Sequence, residues 1–293
     1  MFRGEGKLQN LRDSGSLGAY FRRARRYPGA FFGIVLLTAI LILALAGPGL
    51  YPYNPWDYVG KPLEPPSLAH PLGTNDVGQD LLSELIYGTR TSVGIGLAVG
   101  LLGVLLSLSL SLTCVLRGGL WDFAVMRLVD SWLTIPPLLL VLLIVAFVPP
   151  RVPVLILALT LFSWAGSTRI LRSQGLEIKQ ELYIAAALAL GASAPYLARR
   201  HFLPGLYPLI ILNFLIQTRR AILLESSLAF LGLADPRHKS WGMMMQYGMK
   251  FMALGHYWLW WLLPPALALG LTLVSLALIG FGLESRFEPT LRS

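Results

Sequence analysis

Two adjacent arginines, Arg219 and Arg220, lie about 15 residues inside an apolar run that opens at Pro204, and Glu225 follows five residues later. Charge at that depth costs several kcal/mol unless it is paired or faces water, so these three residues are candidates for a polar path or an intramembrane ion pair. Imidazoles suit nickel, yet His70, His201, His238 and His256 are scattered, with no two at i, i+4 spacing, and no metal site is expected within the chain. Cys114 is the single cysteine, so neither an internal disulfide nor a thiolate site can form. No G-x-x-x-x-G-K-[ST] loop, H-E-x-x-H or G-x-S-x-G occurs, and the chain is not expected to hydrolyse ATP or act as an enzyme. The chemistry on offer is passage and docking.

The elements that must position these residues follow from composition. The 293 residues are 55% hydrophobic and 13% charged, with a mean hydropathy of +0.63. Ordinary soluble domains carry about 25% charged residues, so the bilayer is the expected solvent. Six runs are long and apolar enough to span it, at about 29–50, 91–116, 122–148, 153–171, 204–230 and 257–283. None shows the alternation of a barrel strand, which predicts an all-α polytopic membrane protein.

Lysine and arginine set the orientation. The net charge is +9, and basic residues crowd one side: seven precede the first span, including Arg22, Arg23, Arg25 and Arg26, and five lie between spans four and five, including Arg199 and Arg200. Both termini are therefore expected to be cytoplasmic, and the charge is read as topology rather than as a nucleic-acid surface. Ala44-Leu45-Ala46 before Gly47 imitates a signal-cleavage site, but the run is long for a signal core and begins nearly 30 residues in, so it is read as a retained anchor.

Residues 51–90 carry Pro52, Pro55, Pro62, Pro65, Pro66 and Pro71 with Tyr51, Tyr53, Trp56 and Tyr58, which predicts an extended, packed external loop. Glu84 and Asp130 are expected to be partnered near the interface. Trp258, Trp260 and Trp261 are expected in an aromatic girdle, and Met243, Met244, Met245 and Met249 in flexible packing. The segment 172–204 is too polar to span. It reads as a helix over Leu176–Leu190, with Glu177 and Glu181 at its start and Ala185, Ala186 and Ala187 raising helix propensity; Gly191 then turns the chain into a second short helix before Pro204. A helical hairpin of this kind needs something to pack on.

That segment resembles the E-A-A, three residues, Gly, nine residues, I-x-L-P loop of bacterial ABC importer permeases, here Ala185-Ala186-Ala187, Gly191 and His201-Phe202-Leu203-Pro204. Ala185 stands where the motif has Glu, and His201 where it has Ile. Three further stretches resemble the second permease subunits of dipeptide, oligopeptide and nickel importers: His70-Pro71-Leu72-Gly73-Thr74-Asn75 through Asp80, Met126-Arg127-Leu128-Val129-Asp130 with Ile135-Pro136, and Ile222 through Leu233 with Ser240-Trp241-Gly242. The tail from Gly280 to Arg292 matches more loosely. The likeness covers about residues 20–292 in order.

The resemblance implies a type I ABC importer permease with six transmembrane helices in the bacterial or archaeal inner membrane. It implies a tail, first helix and Pro-rich loop over 1–90, a five-helix core over 91–285 and a short tail over 286–293. It implies an ATPase-coupling loop that includes Glu181, Tyr183, Ala185, Ala186, Ala187, Gly191, Ala192, Arg200, His201, Leu203 and Pro204. Its partners would be a second homologous permease, two ATPase subunits that bind ATP and Mg, and an external substrate-binding protein. Peptides are the expected cargo, and nickel or a metal chelate is the alternative in the same family. A secondary transporter is the reading from another class; it would need a midplane ion-coupling site and paired broken helices.

Overall fold

The computed structural model describes residues 28–252, 255 and 258–287. It is helical, and among the described residues the only β feature is an isolated bridge between Thr74 and Asp80. Helix α1 is Pro28–Leu50, α2 Leu81–Arg117, α3 Gly119–Leu133, α4 Pro137–Phe147 and α5 Val152–Lys179. After these come α6 Leu182–Ala189, α7 Ala194–Leu197, α8 Leu203–Phe230, α9 Trp241–Lys250, α10 Trp258–Trp261 and α11 Leu263–Phe287. Five described helices are long and apolar enough to cross a membrane, and six if the bent pair α3 and α4 is one span. The basic N-terminal tail, His256 and the tail beyond Phe287 lie outside the described residues.

Four boundaries differ from the sequence expectation. Helix α2 starts at Leu81, ten residues before the expected 91, because Asp80 caps it: the carboxylate accepts from Ser83 N at 2.7 Å. The third span, expected as one helix over 122–148, is two helices inclined at 87°. Pro136 and Pro137 cause the break, since each proline removes an N–H donor and disfavours helical geometry in the residue before it. Helix α5 runs on to Lys179, so the hairpin helix expected from Leu176 begins at Leu182. The second hairpin helix does not stop before span five: α7 passes through a π-helical turn, Ala198–Phe202, directly into α8.

Helix α2 is the centre of the bundle and packs on α5, α8 and α1; α11 closes the other side against α1 and α8. Close approach between α2 and α8 depends on glycine. A Cβ at Gly96 would lie 2.2 Å from Ile222 Cγ1, at Gly100 2.1 Å from Thr218 Oγ1, and at Gly103 1.9 Å from Gln217 Oε1. Small residues allow such contact in lipid, where association depends on van der Waals packing and interhelical hydrogen bonds rather than on a hydrophobic drive. One of those bonds joins Gln217 Nε2 to Ser167 Oγ at 2.9 Å, tying α8 to α5. Gly103→Leu is expected to eliminate the monodisperse subunit on size exclusion, and Gly94→Leu, with nothing within 4 Å of its Cβ, to leave it intact.

Candidate functional sites

The hairpin between α5 and α8 is pinned by few residues. Ile184, Leu197 and Phe202 are buried in one cluster with Val115, Leu171, Ile178 and Leu206 from the ends of α2, α5 and α8. Each such side chain contributes about 1.5–3 kcal/mol. The Tyr183 and Tyr196 rings lie 5.6 and 5.8 Å from the His201 ring, so His201 stitches the two arms together. Gly191 turns the chain at φ +80, and its surroundings are open; a larger residue there is opposed by backbone strain and not by a clash. Pro204 follows directly on the π-helical turn Ala198–Phe202, where the widened hydrogen-bond ladder accommodates its missing N–H inside the continuous helix.

What the hairpin leaves uncovered is apolar. Leu182 is 86% exposed and Leu190 89%, with Tyr183, Leu188 and Tyr196 each about half exposed. Ala185 and Ala186 are exposed beside them, and Ala187 and Ala192 pack partly against the buried cluster. Glu181 precedes α6 as its N-cap residue, its carboxylate making no capping bond, and Arg200 is exposed beside the π turn. From Leu182 through Ala198 no residue carries a formal charge. On α3 and α5, Arg172 pairs with both Asp122 oxygens, and Asp130 is bridged by Arg169 and approached by Arg127 at 3.8 Å.

At the opposite end a polar strap joins the Pro-rich loop to the bundle. Lys239 Nζ donates to Glu84 Oε1 at 2.6 Å and to Gln79 Oε1 at 2.8 Å, and stands 4.6 Å from the centre of the Trp56 ring. Asn75 Nδ2 donates to both of the same oxygens. His70 Nδ1 lies 2.9 Å from Asp80 Oδ2, the other oxygen of which caps α2. Trp241 is fully buried, and its Nε1 donates to Thr89 Oγ1. Asp235, 6% exposed, is gripped by Arg237 and receives Val152 N. The hydrogen bond from Arg237 holds its carboxyl well below the ordinary carboxylate range against the opposing cost of burial. That contribution is present above the ordinary value and is lost only as pH falls through the depressed one.

Sequence reasoning treated Trp261 as part of a girdle. It is instead buried, stacked on Phe251 at 5.2 Å and Tyr247 at 6.4 Å, in a cluster with Leu81 and Met244. Its neighbours are brought there by α9, a helix that the hydropathy pattern does not announce.

The three intramembrane residues separate. Arg219 is half-buried and lines a groove between α8 and α11; Arg220 is exposed on another face of α8. Glu225 is 1% exposed, accepts a 3.3 Å hydrogen bond from Ser226 Oγ, and borders a different cavity beside Thr91, Asp235 and His238. No ion pair joins it to either arginine among the described residues. One titratable residue was given no role in the sequence reading: Glu284, 65 residues after Arg219, lines the same groove.

Comparison with known proteins gives a consistent pattern. Residues 82–293 match the family described as binding-protein-dependent transport system inner membrane component, and residues 16–66 match the N-terminal transmembrane domain of oligopeptide transport permease C. The chain is 32% identical to a dipeptide transport system permease protein of Bacillus subtilis, over 93% of this chain and 85% of the relative. It is 30% identical to an oligopeptide transport system permease protein of the same organism, over 90% and 86%. It is also 31% identical to a putative peptide permease protein of Brucella suis, over 94% and 92%.

Proposed function

This chain belongs to the family of binding-protein-dependent transport system inner membrane components, and from that premise we propose that it forms half of an ATP-driven translocation path for short peptides. It is a multi-pass membrane subunit of the ABC peptide-permease family, whose named relatives are permeases and not catalytic subunits. The finer reading adds a second homologous permease, two ATPase subunits that carry ATP and Mg, and an external binding protein that delivers the peptide. Peptide is preferred as cargo because the relatives are named as dipeptide, oligopeptide and putative peptide permeases.

The observation that supports this most is the hairpin itself: anchored by Ile184, Leu197 and Phe202, it presents Leu182, Tyr183, Leu188 and Leu190 outward with no charge among them. Exposed apolar surface of that density is a docking face. In the proposed arrangement the hairpin and both termini are cytoplasmic, consistent with the basic loops on that side, and the strap around Lys239 faces outward. ATPase closure pushes on the hairpin, and α7, the π turn and α8 carry the push into the membrane as one continuous helix. Arg220 and Glu225 stay candidates for the path wall. The 1–90, 91–285 and 286–293 division then separates an accessory helix and loop, the moving core and a tail, except that residues 81–90 open α2 and 286–287 close α11 within the core. The test is uptake of a radiolabelled dipeptide by cells lacking and then regaining the gene: restored, ATP-dependent accumulation is expected, and unchanged uptake on restoration would refute the reading.

A further inference from the structure

The groove between α8 and α11 has a charge of opposite sign towards each of its ends. Its walls are apolar, with Leu215, Ile216, Leu276 and Ala277 among them, and its cavity volume is about 90 Å³. The helices are antiparallel, and Gly280 marks their register: a Cβ there would lie 3.6 Å from Leu212 Cδ1. Arg219 stands seven residues beyond Leu212 in one direction along the bundle, and Glu284 four residues beyond Gly280 in the other. Eleven residues of helical rise, about 16 Å, therefore separate their backbones, and their long side chains shorten that span from both ends as they line the groove.

Neither residue has an ion pair or hydrogen bond to any side chain that the structure describes, which on α11 extends to Glu284 itself. A guanidinium within a membrane-spanning helix is costly without a counter-charge, and the cost is offset when a ligand supplies one. A peptide with free termini carries an ammonium at one end and a carboxylate at the other. Extended chains of two to four residues are about 7–14 Å long, the separation that the two side chains leave. Guanidinium binds carboxylate through paired, charge-assisted hydrogen bonds, and a carboxylate accepts from ammonium.

We infer that this groove is a transit subsite for short peptides with free termini, in which Arg219 holds the C-terminal carboxylate and Glu284 the N-terminal ammonium. The inference rests on the peptide-permease reading above and adds the recognition chemistry. Apolar walls without further polar groups leave the peptide's side chains unread, so the subsite selects for termini and length and not for sequence.

The experiment uses the complete importer, reconstituted with its partner subunits in proteoliposomes and supplied with saturating binding protein carrying trialanine. Arg219→Gln and Glu284→Gln are each expected to lower uptake about tenfold or more, with Arg219→Lys, which keeps the charge but not the paired hydrogen bonds, falling between Arg219→Gln and the unsubstituted importer. Co-purification of the ATPase subunits with each variant separates these effects from failed assembly. A second readout reports the groove directly: Ile216→Cys should be alkylated by N-ethylmaleimide, protected during trialanine turnover, and no longer protected when Arg219→Gln is added. Unchanged uptake and unchanged protection in both Gln variants would overturn the inference, as would an Arg219→Lys variant as inactive as Arg219→Gln. Absence of trialanine uptake by the unsubstituted importer would instead strike the permease reading on which it rests.

Discussion

Replacing Lys239 with Met is expected to destabilise the folded subunit by about 3–5 kcal/mol, the cost of stranding a buried partner charge. Glu84 and Lys239 have side chains 5% and 12% exposed, and Glu84 sits in the first turn of α2 with no other cation within ion-pair distance among the described residues. Removing the ammonium leaves that carboxylate with only Asn75 as a donor and deprives Gln79 of one of its bonds. Because three segments meet at Lys239, the Pro-rich loop, the start of α2 and the lead into α9, the damage spreads beyond the pair. The double variant Glu84→Gln with Lys239→Met removes both charges and should recover most of the loss. Thermal unfolding of the purified subunit in detergent checks both, and equal losses in the single and double variants would show that the strap is not held by charge. Burial also shields the pair from screening, so the difference in midpoint between the unsubstituted subunit and Lys239→Met should change little between low and high ionic strength.

Leu182→Asp is expected to abolish transport while leaving the subunit folded. At 86% exposure the side chain contributes little to the stability of this chain, and surface changes of this kind stay within about 0.5 kcal/mol. In the assembled importer the same leucine is proposed to be buried against an ATPase subunit, where an unpaired carboxylate costs several kcal/mol and a loss of at least tenfold in uptake follows. Gly191→Trp should give the same outcome by another route, since φ +80 is a conformation that a tryptophan backbone adopts only under strain, and the two arms of the hairpin would shift relative to each other. In both variants the ATPase activity of the isolated partner subunits should be normal. Wild-type uptake by either one would remove the hairpin from the transport cycle.

These two sites differ in how far the sequence announces them. The hairpin is local: a helix-forming alanine run and Gly191 where the chain needs a positive φ are readable in order, whereas Pro204, read as a helix start, lies within a helix that continues through a π turn. Its start was misplaced as well, because Leu176 to Lys179 is equally good helix and continues α5. The start of α2 was readable too, in Asp80 followed by Ser83, but an apolar-run search begins where hydropathy rises and passes over a capped polar turn. Likewise Pro136-Pro137 signals a break inside a stretch whose hydropathy never falls.

The remaining features depend on register between distant helices. Glu84 and Lys239 are 155 residues apart, and nothing near either one names the other. Sequence proximity grouped Arg219, Arg220 and Glu225, whereas the helix turns them onto different faces: a groove, an exposed surface and a buried position beside a mostly apolar cavity. Glu284 joins Arg219 only because α11 returns antiparallel to α8 with Gly280 against Leu212. Periodicity gives the spans, but it does not say which faces meet.

The most direct measurement is the composition and activity of the complex that the tagged chain carries out of its native membrane in mild detergent. Co-elution of a second permease and ATPase subunits, with ATP hydrolysis in the eluate that peptide-loaded binding protein stimulates and that Leu182→Asp eliminates, is the predicted result. A chain that elutes alone or only with itself, with no ATPase present, would contradict the account.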